Sequence, residues 1–270
     1  RDASGVERTA RAEDWVWDSF QRDPFAGASM LETAEVVAKE HGVSRAALDE
    51  MCLLRHEQYG RALADDRAFQ RRYLAPVRLT RGKGEVTVVD ADEGPRSVTA
   101  AGLAAQKPVR EGGTVTSGTQ TYPADGNAGV VVCSEERARA LVGAGKPIVR
   151  LRGFGEARVA AGRMPTATVP AARRALADAG VALDAIDAIK THNPFAVNDV
   201  YFCRETGIEQ EAMNRFGSPL VYGHPQAPTG TRLVIELVEE LTARGGGRGL
   251  FVGCAAGDTA MAVVIEVEGA

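Results

Sequence analysis

The sequence predicts a layered α/β fold with a mixed β-sheet, and two observations lead to this prediction. After Gly145, apolar strand-like runs alternate with amphipathic helical stretches, as in "PIVRLRGFGEA", "TVPAARRALADAGV" and "AIDAIKTH". The chain then closes on two apolar strands joined by a tight segment of small residues, "RGLFVGCAAGDTAMAVVIEVE". Alternating strands and helices followed by such a strand pair favour a sheet with both parallel and antiparallel neighbours.

The amino-terminal part has a helical pattern from about Ala12 to Asp65. Apolar residues recur at helical intervals in "SMLETAEVVAKEHGVSRAALDE", where Gly42 ends one helix and Ser44 begins the next. His41 and His56 lie on these helices and are interpreted as surface or packing residues. This part is expected to form a helix, a short turn and a second helix.

The stretch from Val77 to Gly126 is predicted to form hairpins and loops. Short β-like pieces, "APVRLT", "EVTVVD" and "GTVTSG", are separated there by glycine, proline and charged residues. The next segment, "AGVVVCSEERARALVGAG", predicts a buried strand followed by a helix with Ser134 as its N-cap. Cys133, at the end of that strand, is interpreted as a core residue.

The carboxy-terminal part is predicted to begin near Gly143 to Lys146. It contains the strands and the helix already quoted, a helix from about Val197 to Thr206, and the amphipathic helix "GTRLVIELVEELTARGG". The glycine-rich "RGGGRG" that follows is interpreted as a helix-ending turn rather than a phosphate loop, because it does not follow a strand.

Composition narrows the classes of protein. The chain has 270 residues and a formal net charge of -4, so it presents no basic field for nucleic acid. Its apolar runs are too short for a membrane span, and we expect a soluble, cytoplasmic protein. Four widely spaced cysteines and four histidines suggest neither a disulfide framework nor a metal site. The start, "RDASGVERTA", does not read as a signal peptide, and a chain opening on Arg1 is expected to be a fragment or a processed product.

Three short segments contain candidate functional residues. "HNPFAVND" follows a predicted strand, "GHPQAPTG" precedes a helix, and "GCAAGDTA" joins two strands. Together they contain a thiol and two imidazoles, which are the groups that acyl transfer needs as nucleophile, proton carrier and hydrogen-bond donor. Each segment taken alone also has an ordinary interpretation, as a helix cap, a surface turn or a core cysteine.

Taken in order, these segments resemble the thiolase family over essentially the whole chain. "GHPQAPTGTRLVIELVEEL" is similar to the family's Gly-His-Pro loop and following helix, and "RGLFVGCAAGDTAMAVVIEV" is similar to its carboxy-terminal cysteine segment. "HNPFAVND" occupies the place of the family's Asn-Glu-Ala-Phe segment, with histidine first as in the branch related to sterol-carrier-protein thiolases. The helical segment around "SMLETAEVV" and the stretch "GTVTSGTQTYPADGNAGVVVCSEE" match upstream motifs in the right order.

The resemblance implies roles for the residues in these motifs. His224 would deprotonate the nucleophilic cysteine and, with His192, frame an oxyanion hole for the thioester carbonyl. Cys254 would exchange a proton at the α-carbon of the acyl-CoA. The residues expected to contact substrate or CoA are Thr121, facing the pantetheine; Asn193; Phe195, as a wall of the acyl pocket; Ala256, through its backbone N-H in a second oxyanion hole; and Gly257.

The sequence also departs from the family pattern. The family usually has several glycines after the cysteine, whereas this sequence places Ala255, Ala256, Asp258 and Ala260 in that turn. A backbone donor such as that of Ala256 survives the change from glycine only if φ stays negative. The acyl-accepting cysteine of the family has no counterpart here, and we expect it upstream of Arg1 or in a second chain of a split system. The resemblance implies an α/β/α/β/α fold with mixed five-stranded sheets and an incomplete first core domain. The predicted divisions are a loop domain (1–111), the end of the first core domain (112–145) and the carboxy-terminal core domain (146–270).

Three functional hypotheses follow. The first is a thiolase-type acyltransferase that cleaves 3-oxoacyl-CoA with CoA or runs the reverse Claisen condensation. The second is a retro-aldol or other carbon-carbon lyase on a CoA thioester, working with a small OB-fold partner protein. The third is a non-catalytic CoA-binding subunit. The resemblance implies CoA as substrate with no bound cofactor or metal, and a homodimer or dimer of dimers without nucleic acid or membrane partners.

Overall fold

The computed structural model describes residues 14–82, 84–143 and 146–269. Nine α-helices lie in these ranges: α1 (Trp15–Gln21), α2 (Met30–Glu40), α3 (Arg45–Arg67), α4 (Ala100–Ala104), α5 (Glu135–Leu141), α6 (Thr168–Ala179), α7 (Ala196–Thr206), α8 (Pro219–Tyr222) and α9 (Pro228–Ala243). Six strands lie in the same ranges: β1 (Val77–Arg81), β2 (Glu85–Val89), β3 (Val149–Arg158), β4 (Ala188–His192), β5 (Gly247–Ala255) and β6 (Thr259–Val267). Among the described helices, none is long and apolar enough to cross a membrane.

A mixed sheet of four strands, in the order β3-β6-β5-β4, organises the carboxy-terminal half. β6 pairs antiparallel with both β3 and β5, whereas β4 and β5 run parallel. The antiparallel pair β5 and β6 is joined by the short turn at 256–258, and the parallel pair is connected through α7, α8 and α9. The predicted mixed sheet is therefore confirmed.

Helices cover both faces of this sheet. A Cβ built on Gly155 of β3 would meet α6, and one built on Gly249 of β5 would meet Leu237 of α9. Gly155 is registered with Ala262 of β6, and Gly249 with Ile265. Residues an odd number apart on one strand point to opposite faces, so α6 and α9 lie on opposite sides. The predicted layering of helix, sheet and helix is confirmed.

α6 lies directly on the backbone of β3. A Cβ on Gly153 would come within 2.3 Å of the Ala175 carbonyl oxygen, and one on Gly155 within 2.3 Å of the Ala171 carbonyl oxygen. No side chain fits at such distances, so glycine is required for this close approach. The contact buries both alanines completely.

The described sheet has four strands where five were predicted, and Asn214 explains the difference at the β4 edge. The segment beside β4 makes a single parallel bridge, between Ile189 and Met213. Asn214 then adopts a left-handed conformation (φ 55°), and its side-chain oxygen, in place of a strand carbonyl, accepts from the Thr191 N-H at 2.9 Å. The Asn214 side chain thus accepts the hydrogen bond that a fifth strand would have accepted, and regular pairing along β4 ends there.

The prediction of a buried strand in "AGVVVCSEE" is wrong. Residues 128–133 form no strand, and Val131 and Val132 are 85% and 72% exposed. Cys133 is exposed as well, so it is not a core residue. The run of β-branched residues favours an extended backbone, but no described strand pairs with it. The helix predicted to follow is present as α5, and the Ser134 side chain accepts from the Arg137 N-H as its N-cap.

The amino-terminal prediction of two helices with a turn between them is confirmed by α2 and α3. Ser29 and Glu32 form a capping box at the start of α2, and Ser44 caps α3. Gly42, between the helices, has a positive φ of 58°. The hairpin of β1 and β2 is present, whereas "GTVTSG" contributes only the isolated bridge between Pro108 and Thr116.

The predicted domain divisions stay predictions. The boundary near 143–146 includes residues 144 and 145, which lie outside the described residues, as do residues 1–13 of the predicted loop domain.

Candidate active site

Three chain segments meet at one edge of the sheet. Because β4 and β5 run parallel, their carboxyl ends lie together, with His192 registered opposite Gly253 and beside Cys254. The His192 Nδ1 lies 3.8 Å from the Cys254 Sγ. His224 follows α8, and its ring centroid lies 4.5 Å from that of His192. The structure therefore brings together the three residues predicted to be catalytic.

His192 is held as a neutral imidazole with its proton on Nδ1. Its Nδ1 lies 3.1 Å from the Cys254 carbonyl oxygen, and because that oxygen can only accept, Nδ1 donates. The Nε2 atom is buried and has no hydrogen-bond partner among the described residues. Burial lowers the pKa of His192 to about 4, against a smaller opposing effect of the Cys254 carbonyl. At neutral pH, Nε2 is therefore an open acceptor.

His224 is oriented from both its backbone and its ring. Its N-H donates to the Tyr122 carbonyl at 2.9 Å, and its Nδ1 lies 2.7 Å from the Thr229 Oγ1 in the first turn of α9. When Nδ1 donates to that hydroxyl, Nε2 is free to accept a proton. Burial, and then the neighbouring His192, lower the pKa of His224 to about 3. The ring is thus neutral at pH 7, with Nε2 unprotonated.

Cys254 is nearly inaccessible, with 5% of its surface exposed. Its Sγ receives a hydrogen bond from the Asn198 Nδ2 at 3.3 Å. Burial raises the pKa of the thiol to about 12, while the Asn198 hydrogen bond acts in the opposite direction. Cys254 is therefore a protonated thiol at rest, which can give a proton and recover it.

Two buried carboxylates hold the turn that follows Cys254. Asp23 accepts from the Gly257 N-H at 2.7 Å, across 234 positions of sequence. Asp258, with a φ of 53°, accepts from the N-H groups of Gly162 at 2.9 Å and Arg163 at 2.7 Å. Both aspartates are only 1% exposed. The turn is consequently fixed from both sides.

The backbone N-H groups of Ala256 and Gly257, two residues predicted to contact substrate or CoA, differ in whether they already have an acceptor. Ala256 is exposed and does not have a positive φ. Alanine therefore fits this backbone conformation, and its N-H can point in the same direction as that of the glycine in the family pattern. That N-H has no acceptor among the described residues. The Gly257 N-H is already bound by Asp23. Of the two, only Ala256 offers a donor to a ligand.

The structure does not bring Asn193 into the site. Its side chain is fully buried, and Nδ2 donates to the Asp199 Oδ2 at 2.6 Å and to the Ser218 Oγ at 3.0 Å. Its Oδ1 accepts from the Leu220 N-H at 3.2 Å. The amide is thus fully used in fixing the loop after β4.

Thr121 and Phe195 also make internal contacts. The Thr121 hydroxyl donates to the Pro219 carbonyl at 2.6 Å, and its N-H donates to the Pro194 carbonyl at 2.7 Å. Phe195 is 2% exposed, belongs to the main hydrophobic core and forms a bridge with Gln120. Both residues tie the predicted loop region to the loop after β4, and their contact with a substrate stays a prediction.

A buried polar cluster lies behind this loop. Asp199 in α7 accepts from the Thr191 Oγ1 at 2.6 Å, and from the Arg55 Nε of α3 at 2.8 Å. Arg55 and Asp199 have no exposed side-chain surface. The cluster connects the amino-terminal helices to the strand that carries His192.

Sequence reasoning missed the contacts that four residues make in and around the site: Asn198, Thr229, Asp23 and Asp258. Asn198 and Thr229 lie inside the quoted segments "HNPFAVND" and "GHPQAPTG", so the start of the following helix could have indicated which of their polar side chains point inward. Asp23 carries no such signal. Within the described residues, no group of three or more His, Cys, Asp or Glu side chains is arranged to hold a metal ion.

A mixed sheet with helices on both faces defines an α/β protein, and two neutral imidazoles and a buried thiol at one edge of the sheet are its candidate proton-transfer groups. Comparison with models of known protein families identifies a single family. The C-terminal domain of thiolase matches residues 145–267, and the N-terminal domain of thiolase matches residues 5–136. The chain belongs to the thiolase family.

Individual relatives agree with this assignment. The chain is 34% identical to a probable acetyl-CoA acetyltransferase of Escherichia coli, over 94% of this chain and 62% of the relative. It is 35% identical to a beta-ketoadipyl-CoA thiolase of Pseudomonas aeruginosa, over 88% of this chain and 59% of the relative. The chain thus spans about three fifths of the length of these curated relatives.

Solved structures give the same result for the fold. The acetyl-CoA acetyltransferase of Bacillus anthracis superposes with a TM-score of 0.87 at 29% identity, covering 99% of this chain and 67% of that one. Human mitochondrial 3-ketoacyl-CoA thiolase superposes with a TM-score of 0.82 at 26% identity, covering 98% and 67%. The described residues therefore have the thiolase fold.

Proposed function

We propose that this chain supplies the proton-transfer groups of a thiolase-type acyltransferase acting on acyl-CoA thioesters. The observation that carries the proposal is the convergence of His192, His224 and Cys254 at the carboxyl ends of β4 and β5. Both imidazoles are neutral at pH 7 and the thiol is protonated, which is the resting state that such chemistry requires. CoA is the second substrate, and no bound cofactor takes part.

In thiolysis, a cysteine thiolate whose proton His224 has accepted attacks the 3-oxo carbon of the acyl chain. The bond between carbons 2 and 3 then breaks, and its electron pair passes to carbon 2. Cys254 donates its S-H proton to that carbon, so that acetyl-CoA leaves and an acyl-enzyme remains. The CoA thiol then gives its proton to the Cys254 thiolate, and its sulfur takes up the acyl group. The nucleophilic cysteine leaves as a thiolate and regains the proton held by His224. Condensation is the reverse sequence.

His192 contributes through an accepting atom in this scheme. With its proton on Nδ1, its buried Nε2 cannot donate to a thioester oxygen. A water molecule that donates one hydrogen to Nε2 has its second hydrogen for the thioester oxygen. We therefore assign His192 the task of orienting a water in the oxyanion hole, with the Ala256 N-H as donor of the second hole.

The acyl-accepting cysteine is proposed to lie outside these 270 residues. Cys52 is buried in α3 with its Sγ donating to the Gly118 carbonyl, and Cys203 is buried in α7 with its Sγ against the Met213 Sδ. Cys133 is exposed on the segment before α5. None of the three has a described hydrogen bond with His224, so none is in place to be activated by it.

The proposal extends to assembly and location. A homodimer or a dimer of dimers accounts for the large apolar side chains left exposed on the segment before α5 and on β3, among them Val131, Leu151 and Phe154. A cytoplasmic location fits a substrate that is a CoA thioester. Light scattering of the purified protein tests the oligomer, and any small OB-fold partner would be seen as a second copurifying polypeptide.

The activity test uses protein purified through a carboxy-terminal tag, with its intact mass measured and copurifying chains retained. CoA-dependent loss of acetoacetyl-CoA is followed for the parent, Cys254→Ala and His224→Asn. The thiolysis rate of each variant is expected to be lower by roughly 10²-fold or more, the usual contribution of a general acid or base. Cys133→Ala and His41→Asn, which alter exposed residues, serve as matched controls and should keep parent activity.

Three outcomes would contradict the proposal. Undiminished thiolysis by Cys254→Ala would remove the proton-transfer role from that residue. Release of a free carbonyl product without consumption of CoA would instead identify a carbon-carbon lyase. Absence of any turnover in protein of full native mass would favour a non-catalytic CoA-binding subunit.

A further inference from the structure

We propose that Asn198 is a further catalytic residue, whose side-chain amide donates a hydrogen bond to the Cys254 sulfur and stabilises its thiolate form. The inference rests on the proposed function for the role of the thiolate, which accepts the α-proton of the acyl-CoA in the condensation direction. In that step the C-H bond of the substrate breaks and the S-H bond of Cys254 forms. The contact itself is a property of the fold.

The Asn198 side-chain amide is positioned to donate a hydrogen bond to the Cys254 sulfur. The Asn198 Nδ2 lies 3.3 Å from the Cys254 Sγ, and the asparagine is 2% exposed in the first turn of α7. The His192 Nδ1 lies 3.8 Å from the same sulfur. Because the Nδ1 proton of His192 is donated to the Cys254 carbonyl, the Asn198 amide is the donor directed at this sulfur.

Burial makes this donor important. A buried anion without hydrogen-bond donors is strongly disfavoured, because it loses its hydration. Burial raises the pKa of Cys254 to about 12, and the hydrogen bond from Asn198 is the largest effect that lowers it. Asn198 therefore makes the thiolate accessible in a site that otherwise opposes it.

The other two buried cysteines of the described chain have the opposite arrangement. The Cys52 Sγ donates to the Gly118 carbonyl at 3.0 Å, and the Cys203 Sγ donates to the Met213 Sδ at 3.7 Å. Burial raises the pKa of each thiol to about 12, with no donor to offset it. Of the three, Cys254 alone has an amide N-H directed at its sulfur.

The Asn198 amide is not committed to a competing interaction. Its Oδ1 is buried and has no hydrogen-bond partner among the described residues. Rotated by half a turn, the amide would accept from the S-H of Cys254 and stabilise the neutral thiol instead. The two orientations predict opposite changes in thiol reactivity when the amide is removed, so the direction of the measured change distinguishes them.

The test measures the alkylation rate of each cysteine by iodoacetamide near pH 9, with peptide mass spectrometry to separate the sites. The 270-residue chain carries Cys133→Ser, which removes the exposed thiol, and is compared with and without Asn198→Leu, an apolar side chain of similar shape. Loss of the donor is expected to make Cys254 about tenfold less acidic. Alkylation should slow by roughly three- to fourfold, since the more basic thiolate is the better nucleophile.

Cys52 and Cys203 are internal controls, and their rates should not change. If Asn198→Leu loosens the fold, Cys203, on the same helix, will react faster. The comparison then passes to Asn198→Asp, which keeps the shape and replaces the donor by an acceptor, and the same slowing of Cys254 is required. An unchanged or faster Cys254 in the variant with an intact fold overturns the proposal.

This readout needs no turnover. Slower alkylation of Cys254 together with a negative thiolysis assay would keep the Asn198 contact and reject the acyltransferase function. If thiolysis depends on Cys254 but its alkylation rate does not change on replacing Asn198, the acyltransferase function is kept and the role of Asn198 is rejected.

Discussion

The imidazole rings of His192 and His224 lie 4.5 Å apart between centroids, with 45° between their planes. Two rings at this separation repel each other when both are charged, and His192 accordingly lowers the pKa of His224. Burial is the larger cause for each ring. The pair is therefore a neutral unit over the whole physiological range of pH.

The neutral pair predicts a loss of stability in mild acid. The pKa values of His192 and His224 in the folded chain, about 4 and about 3, lie below the ordinary value of roughly 6.5, so the unfolded chain binds protons first as the pH falls. The free energy of unfolding should fall by up to about 1.4 kcal/mol per pH unit for each histidine below that value. Urea unfolding between pH 7 and pH 5 measures the slope.

The matched variants are His192→Asn and His41→Asn. His192→Asn removes one of the two buried rings and should flatten the dependence on pH. His41→Asn, at an exposed position, is the matched control. Equal slopes for all three proteins would show that the buried pair does not titrate as described.

Thr229 is predicted to be a positioning residue for His224. Its hydroxyl lies 2.7 Å from the Nδ1 of the ring, and Thr229→Val removes this partner with little change in volume. Activity is expected to fall by about tenfold, the equivalent of one hydrogen bond in the transition state. The ¹⁵N chemical shifts of the ring should also change, because they report the tautomer. Thr229→Ser, which keeps the hydroxyl, should restore both, and a Val variant with parent shifts would refute the assignment.

Asp258 is predicted to contribute to stability through its carboxylate and its backbone. Asp258→Ala leaves the N-H groups of Gly162 and Arg163 without their acceptor and puts alanine at positive φ, so it should cost about 2–4 kcal/mol. Asp258→Asn keeps one acceptor and tolerates the φ, so it should cost less. Asp184→Ala, at an exposed position, should be neutral within about 0.5 kcal/mol. Urea denaturation gives the order, and equal losses for Ala and Asn would contradict the account.

The buried pair of Arg55 and Asp199 predicts a large penalty when one partner is removed. Arg55→Met leaves a carboxylate buried without its cation and should cost about 3–5 kcal/mol. Arg61 pairs with Glu57 at the surface, and Arg61→Met should cost less than about 1 kcal/mol. Similar unfolding free energies for the two variants would show that the buried pair is not strongly coupled.

Local patterns in the sequence were enough to place most helices and the main residues of the site. Ser44 and Gly42 marked helix ends that the structure contains, because caps act within a few residues. The convergence of His192 and Cys254 followed from strands that deliver their ends to one edge of a sheet. Such inferences need only the order of elements.

Contacts between distant residues could not be predicted in this way. Nothing in "RDPFAG" indicates that Asp23 meets Gly257, which lies 234 positions further on. Asn193 and Asn198 belong to one octapeptide, and only the start of α7 at Ala196 decides that the first faces Asp199 and the second faces Cys254. The preference of Val131 and its neighbours for extended backbone could not reveal whether another strand would pair with them.

The exposed valines before α5 also have a practical consequence for handling the protein. Val130, Val131 and Val132 are 54%, 85% and 72% exposed in a segment that lies outside the described helices and strands. Exposed runs of β-branched residues are common starting points for aggregation between chains. Concentrated samples of the 270-residue polypeptide should become turbid on storage, and a charged residue in place of Val131 should delay that change.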